Sequence, residues 1–269
     1  MDTIPESDDT FKTMIAKCNT INSSNEGREN DTENVDFDKI IWKYYKIELK
    51  DDKKFTVLEK PLDFYLIKTT LNDGGRPLFV IPGYSDKSIC WTIGEMNRYI
   101  VTMPECFKEY SDIYLINLEN VKDIQKGADK SERNQLDADV TECVNMIINR
   151  LDLKNISLLG RSAGGGVCIL LATMNMNVVG LNLACPGGRK DSIDDFIRNR
   201  SSNPIPIHIC HTFEDTTIKI EDSYQIRDKL REDYIKQGKN LLKFIEISTG
   251  YTEPGINHRV QEELIRILV

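Results

Sequence analysis

The chain has 269 residues, 40% of them hydrophobic, with 43 acidic against 35 basic side chains and a formal net charge of −8, and that length suits one α/β domain of roughly 200 to 250 residues. No run approaches the roughly 18 apolar residues of a membrane-spanning helix, and the first residues, MDTIPESDDT, have neither the basic nor the apolar region of a secretory signal, so a cytoplasmic chain without membrane contact is expected. Residues 1–38 hold ten Asp or Glu against Lys12, Lys17 and Arg28, which leaves −1 for the rest and no basic stripe; nucleic acid and anionic membrane surfaces are therefore not expected partners.

Residues 19–36, NTINSSNEGRENDTENVD, have almost no apolar content and cannot offset their ordering entropy by burial. Residues 1–38 are accordingly expected to be an acidic, disordered tail, and residues 39–269 a catalytic domain. From about residue 43 the pattern changes. YYKIELK and LDFYLIKTTL have the make-up of edge strands, and PLFVIPG is a short apolar run closed by a turn signal. A helical stretch near 96–110 follows, then DIYLINL, a second helix, NISLLG, a third helix, VVGLNLAC, a short helix, IPIHIC, a fourth helix, LLKFIEIS and a terminal helix. In the second helix Val140, Cys143, Val144, Ile147, Ile148 and Leu151 recur at helical spacing and mark the face that packs on a sheet. The strands between helices are nearly continuous in Val, Ile and Leu, as strands covered on both faces are. This order gives an α/β fold, with a mostly parallel central sheet and helices on both faces.

The seven cysteines (18, 90, 106, 143, 168, 185 and 210) include no Cys-x-x-Cys pair. They suggest reduced, buried thiols, with no disulfide framework and no metal site.

One turn carries chemistry. Ile156, Leu158 and Leu159 lead into Gly160-Arg161-Ser162-Ala163-Gly164, and the helix-forming run GGVCILLATM follows at once. A strand-to-helix turn this tight strains the serine backbone and exposes its Oγ, and glycines at both flanks remove side chains that would clash. Ser162 is thus a candidate nucleophile. A serine hydroxyl needs a base to take its proton and a third group to orient that base. Of three histidines, His258 alone follows the last expected strand, in the loop GYTEPGINH before the terminal helix. His208 lies within IPIHIC and His211 at its end, positions of core or strand-end histidines satisfied by hydrogen bonds. The orienting acid should come from the loop after IPIHIC, where Asp215 leads and Glu214 is its rival; either carboxylate could instead cap the helix that follows.

Together the strand order, GRSAG, Asp215 and His258 resemble the α/β-hydrolase superfamily, over about residues 43–269, with the triad in the chain order Ser, acid, His. The resemblance implies an oxyanion hole made by the backbone N–H groups of Tyr84, after Pro82-Gly83, and of Ala163. Three positions depart from common superfamily usage. Pro82-Gly83 stands where His-Gly is often found, Thr212 where a Gly often precedes the acid, and Lys219 where a Pro often follows it.

The expected activity is hydrolysis of a small-molecule carboxylic ester or thioester through an acyl-enzyme on Ser162, with no metal or organic cofactor. A non-catalytic binding or scaffold protein on the same fold, or an acyltransferase using the same triad, are the other classes. Arg161 is either a turn residue paired with a carboxylate or a contact favouring an anionic acyl or leaving group. The interval PGGRKDSIDDFIRNRSSNP has room for one small helix with Ile193, Phe196 and Ile197 on its apolar face. A minimal cap is therefore expected, and with it a preference for short, water-soluble esters.

Overall fold

The structure is a computed structural model and describes residues 4–5, 40, 42–47, 64–84, 88–117, 121, 129–187, 192–248 and 266. Nine strands form one sheet: β1 (Ile4–Pro5), β2 (Lys43–Ile47), β3 (Phe64–Thr70), β4 (Arg76–Ile81), β5 (Tyr110–Asn117), β6 (Ile156–Arg161), β7 (Val178–Ala184), β8 (Ile207–Thr212) and β9 (Leu242–Ile247). Their spatial order is β1-β2-β3-β5-β4-β6-β7-β8-β9. β1 and β3 pair antiparallel with their neighbours, and every pair from β5 to β9 is parallel. Seven strands therefore run one way and carry their carboxyl ends to one edge of the molecule.

Of the segment expected as a tail, Ile4 and Pro5 are described, and they pair with Lys46 and Tyr45 of β2. These two residues reach the sheet, which composition did not suggest. The remaining residues of the tail, Cys18 among them, lie outside the described residues, as does the expected loop around His258.

The helices are α1 (Ser88–Thr102), α2 (Lys130–Arg150), α3 (Ala163–Met174), α4 (Ile193–Arg200) and α5 (Ile220–Lys236), with a 3₁₀ turn at Pro104–Phe107. None of the described helices is long and apolar enough to cross a membrane. α1 begins and ends eight residues before the helix expected near 96–110. The end is set by Pro104, which crowds the residue before it out of the helical region; Met103 sits at φ −132°. α2 starts on a reciprocal cap, in which Asp129 Oδ1 accepts from the Glu132 N–H and Glu132 accepts from the Asp129 N–H. Its Val140, Cys143, Val144, Ile147 and Ile148 are buried, as the spacing predicts.

Alternation along the strands splits the core into two layers. Phe79, Ile81, Leu158 and Leu183 face a cluster that includes residues of α2, α3, α4 and α5. Leu78, Val80, Leu159 and Ala184 face the other, with Ile93, Met96 and Tyr99 of α1. All six residues of β6 are buried, so the strand that leads to Ser162 is covered on both faces.

Among the described residues between β7 and β8, α4 is the one helix, and it packs against α3 and α5. Ile193 and Phe196 are buried, each worth about 1.5 to 3 kcal/mol relative to exposure. Arg200, at the end of α4, is buried too. Its Nε donates to the Ala172 carbonyl at 2.7 Å and its Nη2 to the Asn175 carbonyl at 2.6 Å, fastening α4 to the last turn of α3.

Candidate active site

Four adjacent strands, β4, β6, β7 and β8, end side by side, and the chain beyond each of them carries one part of the site. Arg161 pairs with Ala184, and Ala184 with Cys210, so the turns that follow β6, β7 and β8 leave the sheet at one level. Ligands of open parallel sheets bind at this carboxyl edge.

Ser162 lies between β6 and α3 at φ 53°, ψ −125°, a left-handed backbone rarely adopted by residues other than glycine. Its neighbours hold it there. The Ser162 N–H donates to the Ala184 carbonyl at 3.0 Å, and its own carbonyl accepts from the N–H groups of Gly165 at 2.9 Å and Gly187 at 2.8 Å. The flanking glycines are required sterically. A Cβ on Gly160 would lie 2.5 Å from Cys168 Sγ and 2.6 Å from the Gly164 carbonyl oxygen, and one on Gly164 would collide with the backbone at Ile81 and Pro82.

The loop after β4 lies against the serine. A Cβ on Gly83 would be 3.2 Å from Ser162 Cβ and 3.6 Å from Ser162 Oγ. Tyr84, next in that loop, has a buried side chain in the core, and Ala163 is the first residue of α3. Arg161, the last residue of β6, is buried at 5% exposure.

Asp215 follows β8 by three residues, and its carboxylate is closed to solvent. Oδ1 accepts from the Thr217 N–H at 2.7 Å and the Ile218 N–H at 3.0 Å, a turn that leads into α5. Oδ2 is 3.3 Å from His211 Nε2. That ring nitrogen is also 3.0 Å from the Ile218 carbonyl, which can only accept, so Nε2 carries a proton and shares it between two oxygens. His211 Nδ1 is 2.7 Å from Ser223 Oγ on α5. Both ring nitrogens of His211 are thus engaged within a side chain of zero exposure. Glu214, the rival acid, turns outward and accepts from Ser248 Oγ at 2.5 Å. His208 lies within β8, its Nδ1 2.9 Å from Asn182 Oδ1.

The structure therefore brings together the turn of Ser162, the Gly83-Tyr84 loop, the segment after β7 and the Asp215 loop. His258, the expected base, lies outside the described residues. Two participants have no motif of their own: Gly187, bonded to the Ser162 carbonyl, and Cys185. Cys185 is the residue after β7, stands at φ 44°, and brings its sulfur within 4.8 Å of Asp215 and His211 side-chain atoms. Burial holds its thiol well above the ordinary range, with the Asp215 charge adding to the effect. Cys185, His211 and Asp215 offer sulfur, nitrogen and oxygen atoms within 4.8 Å of one another, the donor types of a metal site. Against that use, Nε2 of His211 faces the Ile218 carbonyl at 3.0 Å, an oxygen that only accepts, so that nitrogen carries a proton.

The chain has the α/β-hydrolase fold. A predicted CIB-like hydrolase from Thermoplasma acidophilum superposes with a TM-score of 0.52 at 13% identity, over 85% of this chain and 96% of its own. A thermostable esterase matches with a TM-score of 0.50 at 15% identity, over 80% of this chain and 56% of its own. Est1E from Butyrivibrio proteoclasticus matches at 0.50 and 12%, over 78% and 93%. No protein-family model and no curated protein matches the chain.

Proposed function

We propose that the protein is a serine hydrolase that cleaves a carboxylic ester or thioester of a small molecule. The observation that carries this reading is the strained backbone of Ser162 at φ 53°, between a buried strand and a helix N-terminus. Such strain costs on the order of 1 to 3 kcal/mol and persists where the surroundings over-determine it. Here it presents the serine hydroxyl at the carboxyl edge, beside the Gly83 loop.

In the proposed reaction His258 takes the proton of Ser162 Oγ as that oxygen attacks the carbonyl carbon. The negative charge that develops on the carbonyl oxygen is met by the backbone N–H groups of Ala163 and Tyr84, where one donor is worth about 10²- to 10³-fold in kcat. Collapse of the tetrahedral species breaks the ester or thioester bond, and His258 returns the proton to the leaving group. Water, deprotonated by His258, then releases the acid from Ser162. Asp215 fixes the tautomer of His258 and stabilises its charged form. Its Oδ2 is the oxygen suited to this role, since Oδ1 is occupied by two backbone bonds. Oδ2 meets an imidazole N–H that bonds the Ile218 carbonyl at a shorter distance. The esterases and hydrolases among the structural neighbours support the same class.

Labelling with a fluorophosphonate probe tests the reading. Wild type should be labelled, and Ser162→Ala should lose both labelling and ester turnover with an unchanged circular dichroism spectrum. Turnover retained by a folded Ser162→Ala protein would overturn it.

A further inference from the structure

The segment that follows β7 grips the backbone of Ser162 at both of its polar groups. The Ser162 N–H donates to the Ala184 carbonyl at 3.0 Å, and the Ser162 carbonyl accepts from the Gly187 N–H at 2.8 Å. The chain turns between these two bonds at Cys185, which stands at φ 44°, and then packs on the start of α3. A Cβ on Gly165 would be 2.8 Å from Pro186 Cβ, so the second glycine after Ser162 makes room for this proline. A Cβ on Gly187 would lie 3.3 Å from the carbon and the oxygen of the Ser162 carbonyl and 3.4 Å from the Ala163 nitrogen. Near-equal distances to three atoms of one peptide put that point over the flat face of the group. The peptide thus has Gly187 against its face and the Gly187 N–H on its oxygen. Its nitrogen belongs to the first residue of α3, where a helix makes no use of the N–H.

We propose that Gly187 is a positioning residue for the oxyanion hole: its N–H and its bare Cα together fix and polarise the Ser162–Ala163 peptide, whose own N–H meets the developing charge. The proposal rests on the serine-hydrolase reading above, and within it on the Ala163 donor. A carbonyl that accepts hydrogen bonds draws electron density from its amide nitrogen, and bonds linked in this way strengthen one another by about 10 to 30% each. The Ser162 carbonyl accepts two, from Gly165 and Gly187, which makes the Ala163 N–H a stronger donor. Position matters equally, because such a donor acts only at bonding distance from the oxygen of the transition state. A side chain at residue 187 does not fit without moving the peptide by a few tenths of an ångström, since 3.3 Å is shorter than an ordinary carbon contact.

Two variants separate the N–H from the bare Cα. Gly187→Ala keeps the N–H and adds a methyl group. Glycolic acid in place of Gly187, introduced by suppression of a stop codon, exchanges the N–H for an ester oxygen and adds no bulk. Oxyanions form in acylation and deacylation alike, so both steps slow together and KM should stay within about twofold of wild type. With a p-nitrophenyl ester, kcat should fall about tenfold in Gly187→Ala and about fivefold in the glycolate variant, the scale of one lost hydrogen bond. The inhibition constant of a trifluoromethyl ketone, which forms an oxyanion adduct with a serine, should rise by the same factors. Gly180→Ala is the control for crowding alone. Its Cβ would be 3.2 Å from Ser157 Oγ, near the other end of β7, and its kcat should stay within about twofold of wild type.

Matched losses of kcat and of inhibitor affinity, present in both Gly187 variants and absent from Gly180→Ala, support the proposal. An undiminished kcat in either Gly187 variant overturns it. So does a loss that follows melting temperature across the three variants, or one that falls on KM. Should Gly187→Ala fail to fold, the glycolate variant decides alone. Turnover by a folded Ser162→Ala protein would instead sink the parent reading. An inactive Ser162→Ala beside fully active Gly187 variants sinks the inference about Gly187 alone.

Discussion

Asp215 and Glu214 are adjacent in sequence, yet their carboxylates do different things. Asp215 is closed to solvent and bonded to two backbone N–H groups and an imidazole; Glu214 meets an exposed serine. In the proposed mechanism, replacing Asp215 by Asn keeps the volume but removes the charge that would stabilise the His258 imidazolium, and it presents an amide N–H where an acceptor would be needed. Turnover of Asp215→Asn is therefore expected to fall by about three to four orders of magnitude. Glu214→Gln should stay within about twofold of wild type, as surface changes away from such networks do. Steady-state kinetics on one ester separate the two, and the opposite ranking would move the acid to Glu214. At this scale the turn of Ser162 was legible because Gly160 and Gly164 stand at fixed spacing around it, although the atoms a Cβ on Gly164 would meet belong to Ile81 and Pro82. The closeness of Cys185 to Asp215 was not. It depends on β7 lying beside β8, and no pattern within either strand records which strand is its neighbour.

Arg200 shows how an element is held by a few bonds. α4 has eight residues, too few to be stable alone, and its attachment combines Ile193 and Phe196 with a guanidinium set across the end of α3. The last carbonyls of a helix have no partner within it and carry partial negative charge, so a buried cation there is favourable. Arg200→Met keeps much of the stem but leaves the Ala172 and Asn175 carbonyls without this donor, at about 1 to 3 kcal/mol for each. Scanning calorimetry should show a melting temperature lower by several degrees, with about 2 to 4 °C lost per kcal/mol in a protein of this size. An unchanged melting temperature would show that the apolar contacts alone fasten α4. The apolar face of α4 was legible from its spacing, because packing faces repeat with the helix period. The role of Arg200 was not, since a terminal arginine on a polar helix has the pattern of a solvated residue. The end of α1 was misplaced for a related reason, as the pull of Pro104 on Met103 outweighed the apolar residues beyond it.

Across the whole sheet, the succession of strands along the chain and their mostly parallel pairing were legible in the alternation of apolar runs with helical segments, while a polar line through the sheet's middle was not. Asn182 of β7 donates to the Leu158 carbonyl at 3.0 Å and accepts from His208 Nδ1 of β8 at 2.9 Å. The line crosses β6, β7 and β8, and it places a histidine where charge is unwelcome. Burial, then Lys243 of β9 and Arg76 of β4, push the His208 imidazole down from 6.5 to about 4. In the unfolded chain the same group binds its proton near the ordinary value. Between these two values the unfolded state holds more protons than the folded one, so stability rises with pH through the window. The contribution is fully present above about 6.5 and is lost as pH falls toward about 4. Many carboxylates titrate in the same range, so the contribution is isolated by difference. His208→Gln retains an N–H donor for Asn182 and has no titration of its own. Urea denaturation from pH 7.5 to pH 4 should show wild type losing stability more steeply than His208→Gln through the window, with the gap between them constant above about pH 7. Parallel curves across the whole range would show that His208 is protonated as easily in the folded protein as in the unfolded chain, and that the polar line across the sheet does not oppose its charge.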